Sequence, residues 1–199
     1  MKSWMMAAIL FCGAGCLVSC NGNADADKSD DEKEWGFMDA LDEYLVDSVG
    51  MHYSQGEMCI PSITVVEANE DNPDSVLVWG DFWVFNYNVV GDTLKTVSGG
   101  NHPGLMIVQK IDGEFKVTSF DQVEDGNRFL PSAKRIFGDW YEDFNLINSS
   151  EDVREAVRAR VIANYVKANN LSVKYYQDYG WPAKEIPTNE NPVEENPAK

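Results

Sequence analysis

Histidine is scarce in this sequence, and cysteine is confined almost entirely to one end. The 199 residues include only His52 and His102, and of the four cysteines Cys12, Cys16 and Cys20 leave Cys59 alone beyond the first twenty positions. Neither histidine sits in an HExxH or His-rich pattern and there is no CxxC, so a zinc site has no support. P-loop, GxGxxG and GxSxG motifs are absent too, and no cofactor is expected. Basic residues are few: 16 Lys and Arg stand against 33 Asp and Glu, a formal net charge of -17. Such a surface repels phosphate backbones, which argues against a nucleic-acid partner. It equally repels anionic lipid headgroups, so charge cannot hold the chain to a membrane. The apolar stretch from Met5 to Val18 is shorter than the roughly 20 residues a spanning helix needs. What is present is a 44 % apolar, 12 % aromatic composition, enough for the core of one domain with appendages.

The beginning of the chain carries the sharpest signal. Lys2 is the only charge before Asp25, and the apolar stretch between them ends in Leu17-Val18-Ser19-Cys20. A positive start, an apolar centre and small residues after it read as a secretory signal peptide over residues 1–19. The four closing residues resemble the lipobox of bacterial lipoproteins: aliphatic, tolerant, small, cysteine. At Cys16 the aliphatic position is occupied by Gly13. The resemblance implies that Cys20 is the lipidation site. Its nucleophilic sulfur takes a diacylglycerol, cleavage frees its amine for a further acyl chain, and two or three chains anchor firmly where one does not. Cys12 and Cys16 then leave with the signal, and Cys59 remains as a small hydrophobe beside Ile60 with no disulfide partner.

Residues 20–34 read as an acidic, solvated tether. Its run Ser29-Asp30-Asp31-Glu32 resembles the acidic export signal that some Gram-negative lineages place after the lipidated cysteine. That resemblance implies an outer-membrane lipoprotein exposed at the cell surface. A plain spacer is the competing reading.

The rest predicts one α+β domain over residues 35–181, followed by a disordered Pro- and Glu-rich tail over 182–199. Met38, Leu41, Leu45 and Val49 form one face of an amphipathic helix, with Gly50 as its stop. Ile60 to Val66, Val76 to Val90, Thr93 to Ser98, Gly104 to Ile111 and Glu114 to Gln122 read as strands, the last two joined at Asp112-Gly113 by the clearest hairpin signal in the chain. Phe137, Trp140, Tyr141 and Phe144 are helically spaced around Gly138. A further helix, capped by Ser149 or Ser150, carries the stripe Val153, Val157, Val161 and Tyr165.

A first helix packed on a curved antiparallel sheet of four to five strands, with C-terminal helices, resembles the cystatin-like and NTF2-like superfamily. Asp125, Gly126, Pro131, Ser132, Lys134 and Phe137 also resemble a turn found in small secreted bacterial domains, where it marks a fold rather than a reaction.

Candidate chemistry centres on the long second strand. Asp81 lies between Trp79 and Trp83 on one face, with Tyr87 further along. A carboxylate among rings can serve as a general base, or the strand can bend at Gly80 and turn Asp81 to water. The loop Gly99-Gly100-Asn101-His102-Pro103-Gly104 could present His102 to a ligand, or simply join two strands. Asp47-Ser48-Val49, Asp74-Ser75-Val76 and Asp92-Thr93-Leu94 resemble an O-glycosylation motif of some Gram-negative lineages.

Two functions compete. One is a non-catalytic binding or accessory module held at the membrane by its lipid, engaging a protein, peptide or glycan through an exposed apolar or aromatic patch. The other is an NTF2-like isomerase or hydrolase with a cone lined by Asp81, Trp83 and Tyr87 and with His102 at its mouth.

Overall fold

The computed structural model describes residues 36–188. The signal peptide, Cys20, the tether and residues 189–199 of the tail lie outside the described residues.

The fold is α+β, with an open, mostly antiparallel sheet. The sheet has seven strands rather than four or five. The first helix forms where the apolar face predicts it, as α1 (Met38–Tyr44), but its last turns widen into a π-helix over Leu45–Val49 and tighten again at Gly50–His52. Phe37, Ala40, Leu41 and Leu45 point inward from this segment. Gly50 keeps helical angles, with φ -60°. Its lack of a side chain matters for packing instead, because a Cβ there would stand 2.7 Å from the Cys59 sulfur.

Five strands follow: β1 (Met58–Asn72), β2 (Ser75–Val90), β3 (Thr93–Asn101), β4 (Gly104–Ile111) and β5 (Glu114–Gln122). Strand β1 runs past Val66 because its polar end, Glu67 to Asn72, still pairs with Trp79 to Ser75 of β2. Asp112 and Gly113 both take positive φ, 52° and 90°, as a two-residue hairpin turn requires. Strand β2 organises the sheet. One of its edges is covered by β1 along its length. The other is shared, with β4 on Ser75–Gly80 and β3 on Trp83–Val90. The sheet therefore forks at Asp81 and Phe82.

The chain then crosses back through α2 (Phe129–Phe137), a tight turn at Gly138–Trp140, α3 (Tyr141–Ser149) and α4 (Glu151–Ala168). Gly138 separates the first two helices with φ +52°, and the Ser150 hydroxyl caps α4 by accepting from the Val153 amide. Two short strands finish the sheet: β6 (Tyr175–Gln177), parallel to β3, and β7 (Lys184–Glu185) on β6. Ile186 is buried, so the packed chain passes Trp181 and the tail placed at 182–199 begins later.

Side-chain alternation on β2 assigns the two faces. Val76, Val78, Phe82 and Val84 pack with α1, Met106 and Val108. Trp79, on the other parity, meets the cluster around α2 and α3, while Phe85 and Tyr87 meet α4 and β6. The α4 stripe is shifted from the expected one. Val153 is exposed, and Arg158, Ala159 and Ile162 are the buried residues.

Candidate functional site

Asp81 points into the α3 side of the sheet and is only 1 % exposed. Its Oδ2 accepts from Trp83 Nε1 at 3.0 Å and its Oδ1 from Asn148 Nδ2 at 3.2 Å. The strand does not turn it to water at Gly80. Arg154 lies over the Trp83 ring and donates to the Asn148 carbonyl. The group ties the end of α3 to the centre of β2.

Tyr87 belongs to a second cluster, around Arg158. The guanidinium is 4 % exposed and spends all its donors. Nε donates to the Tyr87 hydroxyl at 2.9 Å. Nη1 donates to Asp178 Oδ2 at 2.8 Å and Glu155 Oε1 at 3.3 Å. Nη2 donates to Asp178 Oδ1 at 2.8 Å and Thr96 Oγ1 at 3.0 Å. The Phe85 ring lies 3.9 Å beneath its carbon, and Tyr176 closes another side. Arg158 holds the Asp178 carboxyl below its usual range, mainly by hydrogen bonding. Burial raises the Tyr87 phenol and lifts Tyr176 to about 12. A charge satisfied this completely is a clasp joining α4, β2, β3 and the end of β6.

That clasp carries the most exposed aromatics of the described residues. Asp178 opens a tight turn in which its carbonyl accepts from the Trp181 amide at 3.1 Å, and Gly180 supplies the positive φ, +80°, that the third position of such a turn needs. Gln177 Nε2 donates to the Trp181 carbonyl at 2.8 Å. On this turn Tyr179 is 98 % exposed and Trp181 70 %.

No known protein family, no curated protein and no solved structure matches this chain.

His102 lies apart from Asp81, Trp83 and Tyr87. Its amide bonds the Phe82 carbonyl, and its ring enters a cleft on the α1 face, of about 390 Å³. Tyr44, Ser48, Val49 and His52 form the helical wall; Phe120 and Gln122 form the sheet wall, with Tyr53 beside His102. The Tyr53 hydroxyl and His102 Nε2 share a 2.8 Å hydrogen bond, with the rings edge to face at 5.7 Å. Nδ1 of His102 is buried without a hydrogen-bond partner. Burial lowers the His102 pKa from its ordinary value, against opposing pulls from Gln122 and Asp125. The glycines of the loop make this packing possible. A Cβ at Gly100 would stand 2.1 Å from the Tyr53 hydroxyl, and one at Gly104 2.8 Å from the Phe120 ring.

The expected cone is thus not assembled. Asp81 with Trp83 and Tyr87 with Arg158 lie along one face, joined through the Phe85 ring, whereas His102 with Tyr53 lies on the opposite face of the sheet. Among the described residues no group of three or more His, Cys, Asp or Glu side chains is placed to hold a metal. Sequence reasoning missed Arg158 and the Tyr179–Trp181 turn. The only signal for the turn was Tyr-Gly-Trp-Pro, two aromatics on a turn dipeptide. Of the triplets resembling O-glycosylation motifs, Asp47-Ser48-Val49 lies on the π-helix with Ser48 at the cleft, whereas the other two lie at the turns into β2 and β3.

Proposed function

We propose that this protein is a non-catalytic binding module of a Gram-negative envelope, anchored in the outer membrane through lipid on Cys20 and turned toward the cell surface. Its ligand is a protein, peptide or glycan, gripped by the Tyr179–Trp181 turn. The observation that carries the reading is the pairing of extreme exposure with rigid support. Two large rings stand in water on a turn whose base is fixed by Arg158. Tyr and Trp offer large contact area with little side-chain entropy to lose, which is why they dominate binding hot spots. The anchor rests on the lipobox resemblance, and the outward orientation on the acidic run after it. A first helix on an antiparallel sheet supports the cystatin-like and NTF2-like likeness as the finer description of the fold. The isomerase or hydrolase alternative draws no support from the geometry, because its four residues do not line one cavity.

Expression of the intact chain, of Cys20→Ala and of Tyr179→Ala/Trp181→Ala tests the proposal. The intact chain is expected to partition into detergent, to be shaved by protease on whole cells, and to capture envelope components by cross-linking. Cys20→Ala is expected to lose the first property, and the turn variant to lose capture while still partitioning. An intact chain that stays in the aqueous phase, or full capture by the turn variant, would refute it.

A further inference from the structure

The cleft around His102 shares no residue with the Tyr179–Trp181 turn. Three independent features shape it. The helix that forms one wall departs into π geometry at Leu45–Val49, which brings Ser48 and Val49 to the opening; such widened turns recur at functional sites. Glycines at 100 and 104 allow Tyr53 and Phe120 to lie where any Cβ would collide. His102 leaves Nδ1 buried without a close hydrogen-bond partner, its burial offset only in part by the neighbouring Gln122 side chain and Asp125.

The lining also has a definite chemistry. Its polar groups are hydroxyls from Tyr44, Ser48 and Tyr53, imidazoles from His52 and His102, and the Gln122 amide; no Asp, Glu, Lys or Arg lines it. Hydroxyl and amide groups each combine donor and acceptor capacity. A ligand rich in hydroxyls, which also donate and accept, matches that set. A carboxylate would find no Lys or Arg on the walls, and Asp125, close enough to act on both His102 and Tyr53, would repel it. Phe120 and Val49 add apolar surface for the carbon face of a ring, as small-ligand sites usually provide. We infer that this cleft binds a neutral sugar ring, oriented by Ser48 and Gln122 and packed against Phe120.

The full chain, held in a detergent without a sugar headgroup, can be titrated with glucose, galactose and N-acetylglucosamine, with glucuronate as the anionic counterpart. Calorimetry and saturation-transfer NMR read the binding. At least one neutral sugar is expected to bind saturably, with glucuronate about ten-fold weaker or more. Ser48→Ala and Gln122→Ala are exposed changes that keep the fold, and each is expected to weaken binding about five- to ten-fold, the worth of one hydrogen bond. Trp181→Ala is expected to leave it unchanged. The inference falls if no neutral sugar saturates, if glucuronate and the neutral sugars bind alike, if both cleft variants bind as the parent does, or if Trp181→Ala abolishes binding.

Discussion

Arg158 and Asp178 form a two-pronged pair, Nη1 to Oδ2 and Nη2 to Oδ1, both at 2.8 Å. The pair is lopsided. Arg158 is 4 % exposed along its side chain and Asp178 39 %. Removing the carboxylate leaves the buried cation with Glu155 as its remaining counter-charge, whereas removing the guanidinium leaves the buried Tyr87 hydroxyl without its donor. Asp178→Ala should therefore cost about 1–3 kcal/mol of stability, and Arg158→Met, which empties every bond of the cluster, more. Urea unfolding of the two variants checks the order; equal losses would contradict it.

The same pair shapes the acid limb of stability. The Asp178 pKa is depressed in the folded state, first by its hydrogen bond with Arg158. Its contribution is present above the unfolded carboxylate pKa and is lost as pH falls through the lower folded value. Melting temperature should drop on acidification below the ordinary carboxylate range of about 4, and this part of the drop should be missing in Asp178→Asn.

His102 acts at higher pH with the same sign. Burial lowers its folded pKa, so the unfolded chain takes up the proton first. Stability is expected to fall as pH drops from above about 6.5 through the lower folded value, and His102→Gln should flatten that slope. NMR titration of the His102 ring gives the folded value directly; one at or above the ordinary histidine range would overturn the expectation.

Asp81 accepts two neutral donors in the interior. In Asp81→Asn one donor would face an NH₂ group instead of an oxygen. A loss of about 1–3 kcal/mol is expected, the usual penalty for a buried group left unpaired. Denaturation of Asp81→Asn beside Asn148→Ala would show whether the two share one interaction.

Much of the sheet was legible in the sequence, and the reason lies in local chemistry. Strands β4 and β5 were placed to the residue because Asp112-Gly113 can adopt the positive φ angles of a hairpin and the flanking residues alternate. The length of β1 was not legible, since Glu67 to Asn72 carry no apolar signal and are held only by their partners on β2. Helix α2 was hidden by Pro131, which is tolerated because it stands in the first turn. Strands β6 and β7 are too short to show a period. The shifted face of α4 has a deeper cause. The apolar stripe leaves Arg158 out, and nothing local reveals that its acceptors, Thr96 at 62 residues' separation and Tyr87 at 71, draw it inside. The alternation along the second strand correctly puts Asp81 beside Trp83. The glycine-rich loop carries no local sign that His102 faces the other side of the sheet.

The parallel contact of β3 with β6 spans only Thr93–Lys95 against Tyr175–Gln177, and the hydrogen bond from Thr96 to Asp178 beside it bridges 82 residues. Closing so long a loop for so few backbone bonds makes this a late contact in folding. The β1–β2 pairing is local and can form early, but the Tyr179–Trp181 turn takes shape only once α4 has docked and Arg158 has met its acceptors, and the clasp then holds it firm. Replacing Arg158 should accordingly speed hydrogen exchange at the amides of β6, and a ligand that seizes the turn would slow it there.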